Sequence, residues 1–298
     1  METKSLFITK ISSIATVCTV FALWVSVYFS INVENTLGFL LILTIGILHG
    51  ANDIKLIRNV YKNKSNLSFK KVLFIYIVVV ILTALSFFFT PSVALIIFVI
   101  ISSYHFGEQH FFSKTKLSSL IFKIFCSAYG LIIFSLLFYL NPNDTSVIIY
   151  DLTGYQITDY IYKLALIVSL IIFTIIFIYG IFKNKLSVNF AEELFLVILF
   201  LVIFKIASLV WAFSIYFIFW HSLPSLKDQI ELLYGEYNFN NIKKYILSSL
   251  IYWLIAIIGL VFVLLLFRSD QNLFLSLFFA FLAAITIPHV FVMQVVLK

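Results

Sequence analysis

Five histidines stand in this sequence, and His49, His105, His221 and His289 all fall within long apolar runs. An imidazole is costly in hydrocarbon, so one kept there usually serves a function. A single such residue could be a core histidine bonded to a backbone carbonyl, but four are harder to read that way. Grouped neutral imidazoles suit iron, copper, zinc or nickel far better than magnesium or calcium. Metal chemistry is therefore the first expectation. His49 opens the stretch HGANDIK, in which Asp53 is four residues on, about 40° round a helix and so on the same face. Metal-bound histidine commonly donates its other ring N–H to a carboxylate, which makes Asp53 a candidate acceptor for His49. Asp53 could equally pair with Lys55 or Arg58 at the membrane surface. In YHFGEQHF, Glu108 and Gln109 could serve His105 in the same manner. His110 is about 140° round from His105, which places it beside the site or at the interface rather than on the metal.

Helices must hold these residues. The chain is 63% hydrophobic and 11% charged, less than half the charged share of about 25% in soluble domains. Apolar runs of about 20 residues predict an all-α, polytopic transmembrane bundle. The alternating pattern of an outer-membrane barrel does not occur. About ten spans (eight to ten) fit, at roughly 11–32, 36–56, 72–89, 92–112, 119–140, 160–182, 190–205, 208–226, 245–267 and 273–296. The seventh and eighth could be one long helix, but Lys205 and Ser208 suggest a tight turn between them. No repeat or linker divides residues 1–298, which read as one integral domain. The first apolar run follows a basic stretch, yet it is too long for a signal core and lacks a small-residue cleavage site, so a retained helix is expected. Cys18 and Cys126 supply neither a disulfide framework nor zinc spacing.

The basic residues orient the bundle. With the N-terminus inside, all of the 20 Lys and Arg except Lys163, Lys205 and Arg268 fall on one face, a positive-inside bias that puts both termini in the cytoplasm. That bias and anionic lipid headgroups account for the net charge of +7, so a nucleic-acid partner is not implied. On this map His49, His105 and His221 each lie about 13 residues from the outer boundary of their span, and His289 about 16. At the rise of a helix all four sit about 20–24 Å deep. Four imidazoles on four helices share one level.

With those positions in place, the chain resembles the Brp/Blh family of bacterial and archaeal β-carotene 15,15′-dioxygenases. The resemblance rests on HGANDIK (49–55), SYHFGEQHF (103–111), YFIFWHSLPS (216–225) and TIPHVFVM (286–293), in this order within the multi-span frame. It implies a multi-pass enzyme of the cell's inner membrane that splits the central double bond of β-carotene with O₂. The products would be two all-trans-retinal, which would supply a rhodopsin-type pump. It also implies Fe(II), with His49, His105 and His221 as ligands. One position departs: Ser225 stands where the family typically carries a second histidine after that of the Trp–His motif. A serine hydroxyl stays protonated near neutral pH and is a poor ligand for ferrous iron. The fourth ligand is therefore expected from His289, at nearly the same depth, beside a Pro288 that can bend its helix.

Other classes fit parts of the pattern. A polytopic haem protein with bis-histidine ligation would use the same imidazoles for electron transfer. A proton or metal transporter would need polar residues continuing to the outer face, where these spans are almost wholly apolar. Membrane desaturases use about eight histidines with adjacent pairs, more than this chain has. A membrane protein that binds a carotenoid without cleaving it shares every feature except the reaction.

Overall fold

The computed structural model describes residues 2–61, 69–267 and 274–296, and these are helical apart from short connections. Lys62, Lys64, Arg268 and Lys298 of the charge reading lie outside the described residues, as do the side chains of Lys4 and Lys10. In chain order the helices are α1 (Glu2–Tyr28), α2 (Ile31–Leu41), α3 (Ile47–Ala51), α4 (Asp53–Tyr61), α5 (Phe69–Phe89), α6 (Pro91–Phe111) and α7 (Ser119–Leu140). They continue with α8 (Pro142–Thr153), α9 (Asp159–Phe182), α10 (Phe190–Ile206), α11 (Leu209–Ile215), α12 (Leu223–Tyr234), α13 (Phe239–Leu266) and α14 (Phe274–Val296). Two π-helical turns interrupt them. Ile42–Gly46 joins α2 to α3, and Tyr216–Ser222 joins α11 to α12.

Among the described residues, eight stretches are long and apolar enough to cross a membrane. The chain is thus a multi-pass membrane protein. The segment expected at 11–32 breaks after Tyr28, where α1 ends before α2, and that expected at 190–205 is α10, which has only 17 residues. The seventh and eighth expected spans are separate helices. Ala207 ends α10, and the Ser208 hydroxyl caps α11 by accepting from the Trp211 N–H at 3.4 Å. Glu34 holds the turn by accepting from the Ser208 N–H at 2.6 Å, which satisfies a buried carboxylate with backbone. Helix α8 was not anticipated. It begins at Pro142 and ends at Gly154, whose φ of 73° is the left-handed stop that glycine takes without strain.

Burial sorts the helices. The apolar windows of α5, α9 and α13 are 11% buried, whereas that of residues 209–234 is 72% buried. The first three present Phe88, Phe182, Ile175 and Ile255 outward, as helices facing lipid would. The α11–α12 run is the central post. Its aromatic residues Phe213, Tyr216 and Phe217 pack with Phe106, Phe134 and Phe200 in the main core. Helices α6 and α7 meet backbone to backbone. A Cβ on Gly107 would lie 2.1 Å from the Cys126 carbonyl oxygen, and one on Gly130 would lie 2.0 Å from that of Ser103. Small residues at such crossings let membrane helices approach closely. Here they fix the height of α6, which carries His105.

Candidate metal centre

Each of the four deep histidines is delivered by a local irregularity or a close contact. His49 follows the first π turn, in which Gly46 is pressed against the ring of Phe217: a Cβ there would meet Phe217 at 2.8 Å. His221 lies in the second π turn itself. A single extra residue in a helical turn rotates everything beyond it, and such π turns recur at functional sites. His105 comes from α6, locked by Gly107. His289 follows Pro288, the proline inside α14, which removes one backbone donor and loosens the helix.

The four rings converge. His49 lies 4.4 Å from His289, 5.0 Å from His221 and 6.3 Å from His105 between ring centroids. His105 lies 4.7 Å from His221 and 5.2 Å from His289. Ligand nitrogens of His49, His105 and His221 lie within 4.8 Å of one another, so these three could hold a metal ion. All four side chains are buried. Among the described residues, His49 Nε2, both nitrogens of His105, His221 Nδ1 and His289 Nε2 have no hydrogen-bond partner. Buried polar atoms are rarely left so, and a cluster of unsatisfied imidazole nitrogens is the donor set a transition metal takes. Between them is a cavity of about 20 Å³, also lined by Gly46, Gly50, Phe217 and Leu282.

Neighbouring groups orient the rings. Asp53 Oδ1 lies 2.7 Å from His289 Nδ1, and Oδ2 accepts from the Tyr76 hydroxyl at 3.1 Å. Asp53 was offered as an acceptor for His49, four residues before it, or as a partner of Lys55 or Arg58, whereas it meets His289. The structure corrects this. The helix breaks at Asn52, with φ −94° and ψ 11°, so the four-residue rule does not carry across. Asn52 is fixed from both ends of its amide: Nδ2 donates to the Tyr245 carbonyl at 3.1 Å, and Oδ1 accepts from Ser248 at 3.1 Å. The neighbour of His49 Nδ1 is instead Gln229, whose amide nitrogen lies 3.4 Å away. That amide also donates to Ser225 at 3.2 Å and accepts from the Tyr245 hydroxyl at 2.6 Å. Gln229, Tyr245 and Tyr76 were not foreseen. The spacing His221, Ser225, Gln229 places one residue per turn on one helical face, which would have flagged Gln229.

The remaining sequence candidates lie outside the ring cluster. His110 pairs with Glu193 at 2.8 Å and stacks on Tyr129 with centroids 4.9 Å apart, as its angle on α6 implied. Gln109 donates to Asp228 at 2.9 Å on an exposed surface. Glu108 is buried and accepts from the Tyr104 hydroxyl one turn before it. Ser225 is buried against Gln229 and does not line the cavity between the imidazoles.

A second cavity, of about 340 Å³, lies further along α6, α11 and α14 and is also lined from α5, α7, α8 and α9. Phe213 lines it, and Phe213 stacks on Phe217 at 5.4 Å, which stacks on His221 at 5.7 Å. One ladder of rings joins the two spaces.

The model of the family described as Beta-carotene 15,15′-dioxygenase matches residues 40–296, so the chain belongs to that family. Neither the curated proteins nor the solved structures hold a match to it. Family membership supports a carotene dioxygenase activity.

Proposed function

Proceeding from that membership, we propose that this protein splits the central 15,15′ double bond of β-carotene with O₂, using ferrous iron held by His49, His105, His221 and His289. The carbon–carbon double bond is replaced by two carbonyls, each taking one atom of O₂, so one β-carotene and one O₂ give two all-trans-retinal. The observation that carries the reading is the convergence of buried, unpartnered imidazole nitrogens in a chain of this family. Bound there, ferrous iron supplies the one-electron chemistry that lets O₂ react with a closed-shell alkene.

The chain's own residues prepare the site. Asp53 accepts a hydrogen bond from His289 Nδ1–H, which turns the Nε2 lone pair toward the other rings. This supports His289 as the fourth ligand where Ser225 cannot serve, since the Ser225 hydroxyl is held by Gln229. Phe217 and Leu282 wall the small cavity and exclude water that would quench reactive oxygen species. A cavity of about 20 Å³ takes an occupant the size of one water or one ion, so a metal ion fits between these imidazoles as the side chains stand. The multi-pass helices place the enzyme in a membrane, and we assign it to the cell's inner membrane, where retinal would pass to a rhodopsin-type pump.

The test is expression in a β-carotene-accumulating bacterium, with chromatography of the extract and metal analysis of the purified protein. Bleaching, retinal as the main aldehyde and about one iron per chain without a Soret band are expected. Longer apocarotenals would refute central cleavage. Zinc alone, with full activity after iron removal, would refute iron. Carotenoid that copurifies uncleaved from aerated cells with iron-loaded protein would favour a binding protein.

A further inference from the structure

We propose that the apolar cavity beyond Phe213 is the seat of one arm of the carotenoid, and that its reach from the imidazoles selects the central bond. This rests on the cleavage reading above and adds a binding site to it. The deep wall consists of buried Phe98, Phe134, Leu137, Ile149, Tyr162 and Phe213. Ile96 and Ile100 of α6 and Ile161 of α9 line the cavity too and are exposed on the apolar outer surface, which puts its mouth between them. A polyene dissolved in the bilayer therefore meets an opening without crossing water. Aromatic faces along the wall suit a conjugated chain and its ring better than a flexible acyl chain, because rigid flat ligands lose less freedom on ordering.

Position along the helices fixes the register. On α14 the cavity ends at Phe279 and the imidazole is at 289; on α6 it begins at Leu95 and the imidazole is at 105. Ten helical residues span about 15 Å, which is about the reach of one C20 arm from the central bond to its ring. An arm seated to the far wall thus brings the central bond level with the four imidazoles. The Phe213–Phe217–His221 ladder fills the gap between the two spaces, and its rings must turn aside for the polyene to reach the imidazoles. The small cavity holds no more than an ion as the side chains stand, so the second arm leaves by parting the half-buried Ile285 and Thr286 on its rim.

Filling the cavity tests this. Ser135→Phe and Thr145→Phe enlarge two buried wall residues on different helices, α7 and α8. Each should keep its iron and lose retinal formation from β-carotene by about tenfold or more. Each should still cleave a C30 apocarotenal, whose shorter arm lacks a ring. Ile175→Phe, on the lipid side of α9, should match the parent protein. If both filled variants hold iron and cleave β-carotene at the parental rate, the cavity is not the seat. Binding of β-carotene to metal-free protein in nanodiscs, read from its absorption band, separates the two readings. Parent protein that binds but never cleaves, with binding lost in the filled variants, would overturn the cleavage reading and leave the seat standing. Equal binding in parent and filled variants would overturn the seat. Recovery of only lipid acyl chains, with no carotenoid bound, would overturn it as well.

Discussion

Asp53→Asn isolates the carboxylate that orients His289. The pair is 2.7 Å apart with side chains 1% and 3% exposed, so little solvent screens it. Asn keeps the shape and one acceptor oxygen but removes the charge. Changing the partner of a metal-bound histidine typically lowers metal affinity about 10- to 100-fold, or about 1.4–2.8 kcal/mol. Asp53→Ala goes further. It leaves His289 Nδ1–H and the Tyr76 hydroxyl as buried donors with no acceptor, each costing about 1–3 kcal/mol, so this variant should also unfold at lower temperature. Iron affinity would be measured by chelator competition, and retinal formation in parallel. The decisive comparison is a double-mutant cycle with His289→Ala. If Asp53 acts through His289, then Asp53→Asn should add almost nothing in the His289→Ala background. Full additivity of the two losses, or parental iron affinity in Asp53→Asn, would refute the reasoning.

Two more predictions follow from the same site. His289→Ala should lose iron and retinal formation as His49→Ala does, whereas His110→Ala should keep its iron because His110 is bound to Glu193 outside the cluster; metal analysis giving the reverse pattern would move the fourth ligand to α6. Gln229→Leu should weaken iron binding by about tenfold, since a ring that offers Nε2 to a metal carries its proton on Nδ1 and needs an acceptor, which the Gln229 amide supplies when turned over. Gln229→Glu keeps that acceptor and should restore affinity in the same chelator assay, and equal affinity in the Leu and Glu variants would contradict the role.

How far the sequence carried the site depended on the range of the physics involved. Helix positions were legible because hydropathy over about 20 residues is a local property. The run expected at 119–140 is helix α7, Ser119–Leu140, and α14 begins within one residue of its expected start. The counts that put the histidines at one level run along apolar stretches for the same reason, and the four rings do meet in one cluster. Angular statements held only where the helix stays regular. His110 points away from His105 as its spacing implied, because α6 is unbroken there. Asp53 does not follow its spacing, because the chain leaves the helix at Asn52, held by Tyr245 and Ser248 from α13 nearly two hundred residues on. The π turns have the same origin. No residue in ILTIG or YFIFWHS demands an extra residue per turn. What favours it is the mutual seat of the two turns, Gly46 against Phe217, which exists only after both helices pack. That mutual seat also brings His49 and His221 within 5.0 Å of each other, between ring centroids. The imidazole cluster therefore depends on tertiary packing more than on either helix alone, and its outer partner Tyr76 comes from an element, α5, that sequence spacing could not connect to it.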